Sequence, residues 1–138
     1  MALDVGNSAE AEFVVTPADT AAALAIAPVD VFPPVFATSR MIALMELAAA
    51  RLLQPLLQTG ELSVGVTIDA RHTAPSPIGT KVRAVATYAG RDGKLFLFEV
   101  VAFDEAGAIG NAHHTRAIVS TERLLASAAK RRTATLAP

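Results

Sequence analysis

The sequence predicts an α+β domain in which a five-stranded antiparallel sheet wraps one long central helix. Three observations predict it. A helical apolar pattern runs from residue 38 to about 53 and is the only long helix with strong apolar content. Four stretches with strand character follow it, joined by short turns rich in Gly, Pro and Asp. One short strand candidate precedes it, and this order fits an α+β layer in which an antiparallel meander covers a buried helix.

Residues 11–15 form the first strand candidate, and Thr16-Pro17-Ala18-Asp19 a turn. The stretch 28–34, rich in Pro and Val, cannot hold a regular helix and reads as an ordered loop. Thr38 or Ser39 supplies the N-cap of the helix, and Pro55 marks its end. Beyond Thr59-Gly60, residues Leu62, Val64, Val66, Ile68, Ala70 and His72 alternate with Glu61, Ser63, Gly65, Thr67, Asp69 and Arg71. His72 therefore falls on the apolar phase. A turn at 75–79, a strand at 80–89, a hairpin loop at 90–93 and a strand at 94–104 complete the middle of the chain. A turn at 105–107, a strand from about 109 to 120 and a helix from 121 to about 130 precede a basic tail, 131–138, expected to fray.

The 138 residues, 52% of them hydrophobic, suffice for one domain with a core, so 1–138 is expected to be a single domain. With 12 basic against 13 acidic residues and a formal charge of -1, the chain lacks the positive field that a nucleic-acid binder needs. No cysteine is present, which removes disulfides, a thiolate nucleophile and cysteine metal sites. The opening residues have no signal-peptide character and no segment reaches membrane-spanning length, so a soluble cytoplasmic protein is expected. A mean hydropathy of +0.42 points to apolar surface covered by a second subunit.

Glu46 is the residue out of place. Arg40, Arg51, Gln54 and Gln58 gather on one stripe of the helix, with Leu47 the apolar exception, and Glu46 projects about 120° away from it, closer to Thr38 and Ile42. Its helical neighbours Ile42, Ala43, Ala49 and Ala50 offer no basic partner. Such a carboxylate either reaches an arginine on another strand or water, or serves chemistry. His72 and Thr38 also admit two readings, a packed histidine and a helix cap on one side, reactive groups converging with Glu46 on the other. Arg116 shares its strand phase with His114 and Ile118, and reads as a surface salt bridge or the buried partner of a carboxylate. His113 and His114 face opposite ways on a strand, so no metal site is expected.

Three stretches then combine: Phe32-Pro33-Pro34-Val35-Phe36-Ala37-Thr38 through Met45-Glu46, Gly65 to His72-Thr73-Ala74, and His114-Thr115-Arg116-Ala117. Together they resemble the fluoroacetyl-CoA thioesterase family of hotdog proteins, over about residues 14–123. The resemblance implies a hotdog fold, a homodimer with its active site at the subunit interface, and hydrolysis of an acyl-CoA with no cofactor beyond the CoA of the substrate. It implies a catalytic set of Thr38, Glu46 and His72, with Glu46 attacking the thioester or activating water. It places Gly65, Arg116, Phe32 and Phe36 on the substrate side. Val29 stands where the fluoroacetyl-specific enzyme carries a second aromatic lid residue, so the expected substrate is a short-chain acyl-CoA in general. The contrasting reading is a non-catalytic acyl-CoA-binding or sensing protein, which would need no such trio. A hotdog dehydratase would call for an Asp and His pair that the chain does not show.

Overall fold

The computed structural model describes residues 3–134. Its sheet comprises β1 (Ser8–Val14), β2 (Glu61–His72), β3 (Lys81–Asp92), β4 (Leu95–Asp104) and β5 (Gly107–Ser120), all antiparallel in the order β1-β3-β4-β5-β2. Helix α1 (Thr38–Leu53) lies in the curl of this sheet, and α2 (Thr121–Ala134) continues from β5. The α+β class and the sheet wrapped around one helix are as the sequence predicts.

Helix α1 has the predicted bounds, but its cap differs. Ala37 occupies the N-cap position and no side chain caps the turn, so Thr38 is already helical. The helix start is held from the loop before it instead. The Ala37 amide donates to the Asp19 carbonyl, and Arg40 donates to the buried Asp19 carboxylate at 2.7 Å. Burial pushes that carboxyl up, yet hydrogen bonds from Thr16 and Arg40 outweigh it and hold it below the ordinary value. The loop thus fixes the entry of α1, which leaves the Thr38 hydroxyl free for another partner.

The core sits between α1 and the concave sheet face. Met41, Met45, Ala48, Ala49 and Leu53 meet Val82, Ala84 and Ala86 of β3 and Phe98 and Val100 of β4. Alanines on both surfaces bring helix and sheet close. Burying each large side chain there contributes on the order of 1.5–3 kcal/mol.

Strand β2 departs from the simple alternation. Its register against β5 slips between Gly65 and Thr67, leaving Val66 as a bulge. The phase inverts there. Before the bulge, Ser63 and Gly65 face Arg116 and Glu46; after it, Ile68 and Ala70 join the core and His72 faces α1. Leu62 and Val66, expected on the buried phase, are 53% and 51% exposed. One added residue thus turns a glycine toward the helix and leaves two apolar side chains outside.

Smaller differences lie at the ends. The expected hairpin loop at 90–93 is mostly strand, because a bulge at Ala89, followed by Gly90 with φ +118°, lets Arg91 and Asp92 pair with Phe96 and Leu95. The tail expected to fray from 131 is helical to Ala134, in a run of good helix formers; 135–138 lie outside the described residues.

Candidate functional site

Two polar clusters lie along α1. The first joins Thr38, at the helix start, to His72, the last residue of β2, with 2.9 Å between Thr38 Oγ1 and His72 Nδ1. The His72 Nε2 atom is buried and has no well-formed hydrogen bond. Burial pulls the His72 pKa below its ordinary 6.5, opposed by the nearby Ala74 backbone, so the ring is neutral at neutral pH. Phe36, buried, meets the ring edge-on at 6.3 Å between centroids. A cavity of about 320 Å³ opens beside the pair, lined among others by Val35, Phe36 and Ala74.

The second cluster is built around Glu46. Arg116 of β5, only 7% exposed, donates from Nη1 to Glu46 Oε1 at 3.2 Å. Its other donors go to Ser63, Nε to the hydroxyl and Nη2 to the carbonyl, each at 3.1 Å. This fixes the plane of the guanidinium. Glu46 keeps 41% of its side chain exposed, and beneath it lies Gly65, where a Cβ would run into Glu46 Oε1. A cavity of about 150 Å³ is lined by Glu46, Gly65, Val66, Thr67, Ile68 and His114. A fixed carboxylate thus borders a small, half-apolar hollow.

Of the sequence-predicted residues, Thr38 and His72 come together, and Glu46, Gly65 and Arg116 come together. The two groups do not merge within one chain. Thr38 and Glu46 are eight residues apart on one helix, a rise of about 12 Å. The arginine on another strand, one reading of Glu46 from the sequence, is present as Arg116. Phe32 and Val29 lie on the loop before α1, 49% and 84% exposed. Ser63 and His114 belong to the Glu46 cluster without having been singled out. The shared strand phase of His114 and Arg116 was the available signal. His113 points the other way, to Glu99 at 3.9 Å, and among the described residues no group of His, Asp and Glu could hold a metal.

A curled antiparallel sheet on a single buried helix, with a carboxylate on that helix facing a hollow, defines the class as a hotdog thioesterase. The family model for the fluoroacetyl-CoA-specific thioesterase matches residues 15–122, and the chain belongs to that family. It is 39% identical over 92 residues to the fluoroacetyl-CoA thioesterase of Streptantibioticus cattleyicolor, a match that spans 67% of this chain and 66% of that protein. A solved structure of the fluoroacetyl-CoA thioesterase superposes with a TM-score of 0.89 at 35% identity, covering 94% of this chain and 98% of that one. A thioesterase superfamily member from Thermus thermophilus superposes at 0.87 with 30% identity, over 99% and 98% of the two chains. Acyl-CoA thioester hydrolysis is therefore the activity of the class, as the sequence motifs implied. No helix among the described residues is long and apolar enough to cross a membrane.

Proposed function

We propose that the protein hydrolyses a short-chain acyl-CoA to the free acid and CoA, with Glu46, Thr38 and His72 as its catalytic residues. The observation that carries this is the Glu46 carboxylate, held by Arg116 over Gly65 at the wall of a cavity of about 150 Å³. A hollow of that size suits an acyl group of a few carbons. Related fluoroacetyl-CoA thioesterase structures contain fluoroacetate with CoA, or acetyl-CoA, ligands of that scale.

In the reaction a water oxygen adds to the thioester carbonyl, the carbon–sulfur bond breaks, and the proton lost by water reaches the departing thiolate. Glu46 accepts that proton, since Arg116 occupies one of its oxygens and leaves the other free. Neutral His72, oriented by the Thr38 hydroxyl, relays the proton and hydrogen-bonds the reacting group. Phe32, Phe36 and Val29 line the approach of the substrate. The exposed Val29 in place of a second aromatic supports a general short-chain substrate over a fluoroacetyl-selective one.

The two clusters are completed across a cytoplasmic homodimer. Among the described residues strand β2 is a sheet edge with no strand on its outer side, and Leu62 and Val66 are exposed on it. The opposite edge, β1, carries Glu10 and Glu12, the charged dressing that protects an edge from pairing. In the proposed dimer a second copy pairs at β2, and each site takes Glu46 from one chain and Thr38 with His72 from the other.

The test is thiol release from a panel of acetyl-, fluoroacetyl-, propionyl-, butyryl- and aromatic acyl-CoA by wild type and Glu46→Ala. Turnover of the smallest acyl groups by wild type, lost in the variant, is expected. Failure to cleave any thioester, or a fully active Glu46→Ala, would overturn the reading.

A further inference from the structure

His114 is 1% exposed, yet it is an ionisable side chain, and the reaction as described gives it no part. Its two ring nitrogens have partners of opposite kind. Nδ1 lies 2.7 Å from the Thr67 carbonyl, which can only accept, so Nδ1 carries the hydrogen. Nε2 lies 3.2 Å from Nη1 of Arg116, which can only donate, so Nε2 presents its lone pair. One neutral tautomer satisfies both.

Each partner leads to Glu46. The same Arg116 Nη1 that donates to His114 also donates to Glu46 Oε1 at 3.2 Å, so its two hydrogens are divided between ring and carboxylate. With Nε and Nη2 bound to Ser63, the guanidinium has its plane set from one side by Ser63 and from the other by His114. Thr67 is the residue where the β2 register resumes after the bulge, and the bulge is what turns Gly65 toward Glu46. The His114 ring also stands against Gly65 on the cavity wall.

From this geometry we infer that His114 is a positioning residue for Glu46, acting through the Arg116 guanidinium. The inference rests on Glu46 being the reacting carboxylate. A merely space-filling histidine would tolerate an apolar replacement of similar volume, packed against the Phe98 ring whose centroid lies 6.2 Å away. A positioning histidine does not, since losing the Nε2 acceptor frees Arg116 to tilt, and small misplacements of a catalytic group are costly in rate.

The charged groups that act on the ring are Arg116 on its own strand and Glu46 on α1; β2 offers it only the Thr67 carbonyl and the bare Gly65. A second proton on the ring would set an N–H against the Arg116 guanidinium. Burial and Arg116 favour the neutral form, while the Thr67 carbonyl and Glu46 oppose them, and the balance falls below the ordinary 6.5.

Three substitutions separate the roles. His114→Gln places an amide oxygen at the level of Nε2 and keeps the acceptor for Arg116. His114→Asn keeps only a donor toward Thr67, and His114→Leu keeps neither. With a short-chain acyl-CoA, kcat is expected within about threefold of wild type for Gln and at least about tenfold lower for Asn and Leu, with KM moved less than kcat. Wild-type kcat in the Leu variant, or equal losses in Gln and Asn, overturns the inference. Should the Leu variant fail to fold, the contrast between Gln and Asn decides alone. The tautomer is read separately from histidine ¹⁵N shifts of the wild-type protein, where an Nε2-protonated or charged His114 at neutral pH overturns the geometry. If wild type cleaves no thioester, the functional reading has failed instead, and the tautomer then decides for His114.

Discussion

Thr38 Oγ1 stands 2.9 Å from His72 Nδ1, tying the first helical residue of α1 to the last residue of β2 across 34 positions of sequence. The hydroxyl caps nothing and Thr38 is exposed, so its removal should cost the fold less than about 1 kcal/mol. Its effect on chemistry is expected to be larger. Thr38→Ala should lower kcat/KM by about 10- to 100-fold, and Thr38→Ser, which keeps the oxygen, should stay within about fivefold. Steady-state kinetics beside a thermal unfolding curve check this; an active Ala variant would remove Thr38 from the mechanism.

Gly65 makes the same separation by adding a group rather than removing one. Its φ is not left-handed, so alanine is allowed by the backbone and removes up to about 1 kcal/mol of glycine flexibility from the strand. The new Cβ, however, collides with Glu46 Oε1. Gly65→Ala should therefore still fold, the backbone gain offset by displacing Glu46 from the buried Arg116, while losing at least about tenfold in kcat/KM. Unchanged turnover would show that the carboxylate can move aside without consequence.

What was legible in the sequence follows from the range of the forces involved. The ends of α1 and of β2 are set by local signals, such as the apolar helical period before Pro55 and the alternation after Gly60, and both are found where expected. The bulge at Val66 was not legible. It is pinned by His114 Nδ1 on the Thr67 carbonyl, 47 residues away, and no local period announces it. The same holds for the N-cap, where Asp19 binds the helix start and releases Thr38 from the capping role that its position suggested. Glu46 stood out as a carboxylate without a helical partner; that its partner is Arg116, 70 residues on, depended on the sheet order.

The buried His114 and the half-buried His72 set the acid side of the pH profile. Both His72 and His114 have pKa values lowered by burial, so the folded protein binds fewer protons than the unfolded chain as pH falls through about 6.5. The stability that they contribute is present above the ordinary histidine value and is lost as pH drops toward their folded values. Unfolding free energy should be flat near pH 7–8 and decline below about 6.5. The activity limb should lie lower still, because neutral His72 persists in the folded state at pH values where a free histidine is charged. A kcat/KM profile whose acid limb sits above 6.5 would contradict the burial of His72.

The β2 edge offers a test of assembly that leaves the core untouched. Val66 is half exposed and sits on the bulge, so a charge there costs the isolated chain little. In the proposed dimer it would be desolvated beside its symmetry mate. Val66→Asp should shift sedimentation from dimer to monomer with circular dichroism unchanged, and thioester turnover should fall with it. A dimeric Val66→Asp protein would place the interface elsewhere.

The separation of the two clusters leads to the strongest test of a shared site. Thr38 and Glu46 of one chain are about 12 Å apart along α1, too far to act on one carbonyl together. If each site takes Glu46 from one chain and Thr38 with His72 from the other, Thr38→Ala and Glu46→Ala homodimers are both impaired. A mixed dimer of the two contains one site with both residues intact and one with neither. Random pairing makes about half of the dimers mixed, each with one of its two sites whole, so co-expressed variants should recover about a quarter of wild-type activity. The measurement is thiol release from the co-expressed, co-purified mixture against each variant alone. Activity no higher than the average of the two homodimers would mean that every site draws Thr38 and Glu46 from one chain. The helix would then have to present both residues to an extended substrate rather than to a single reacting carbon.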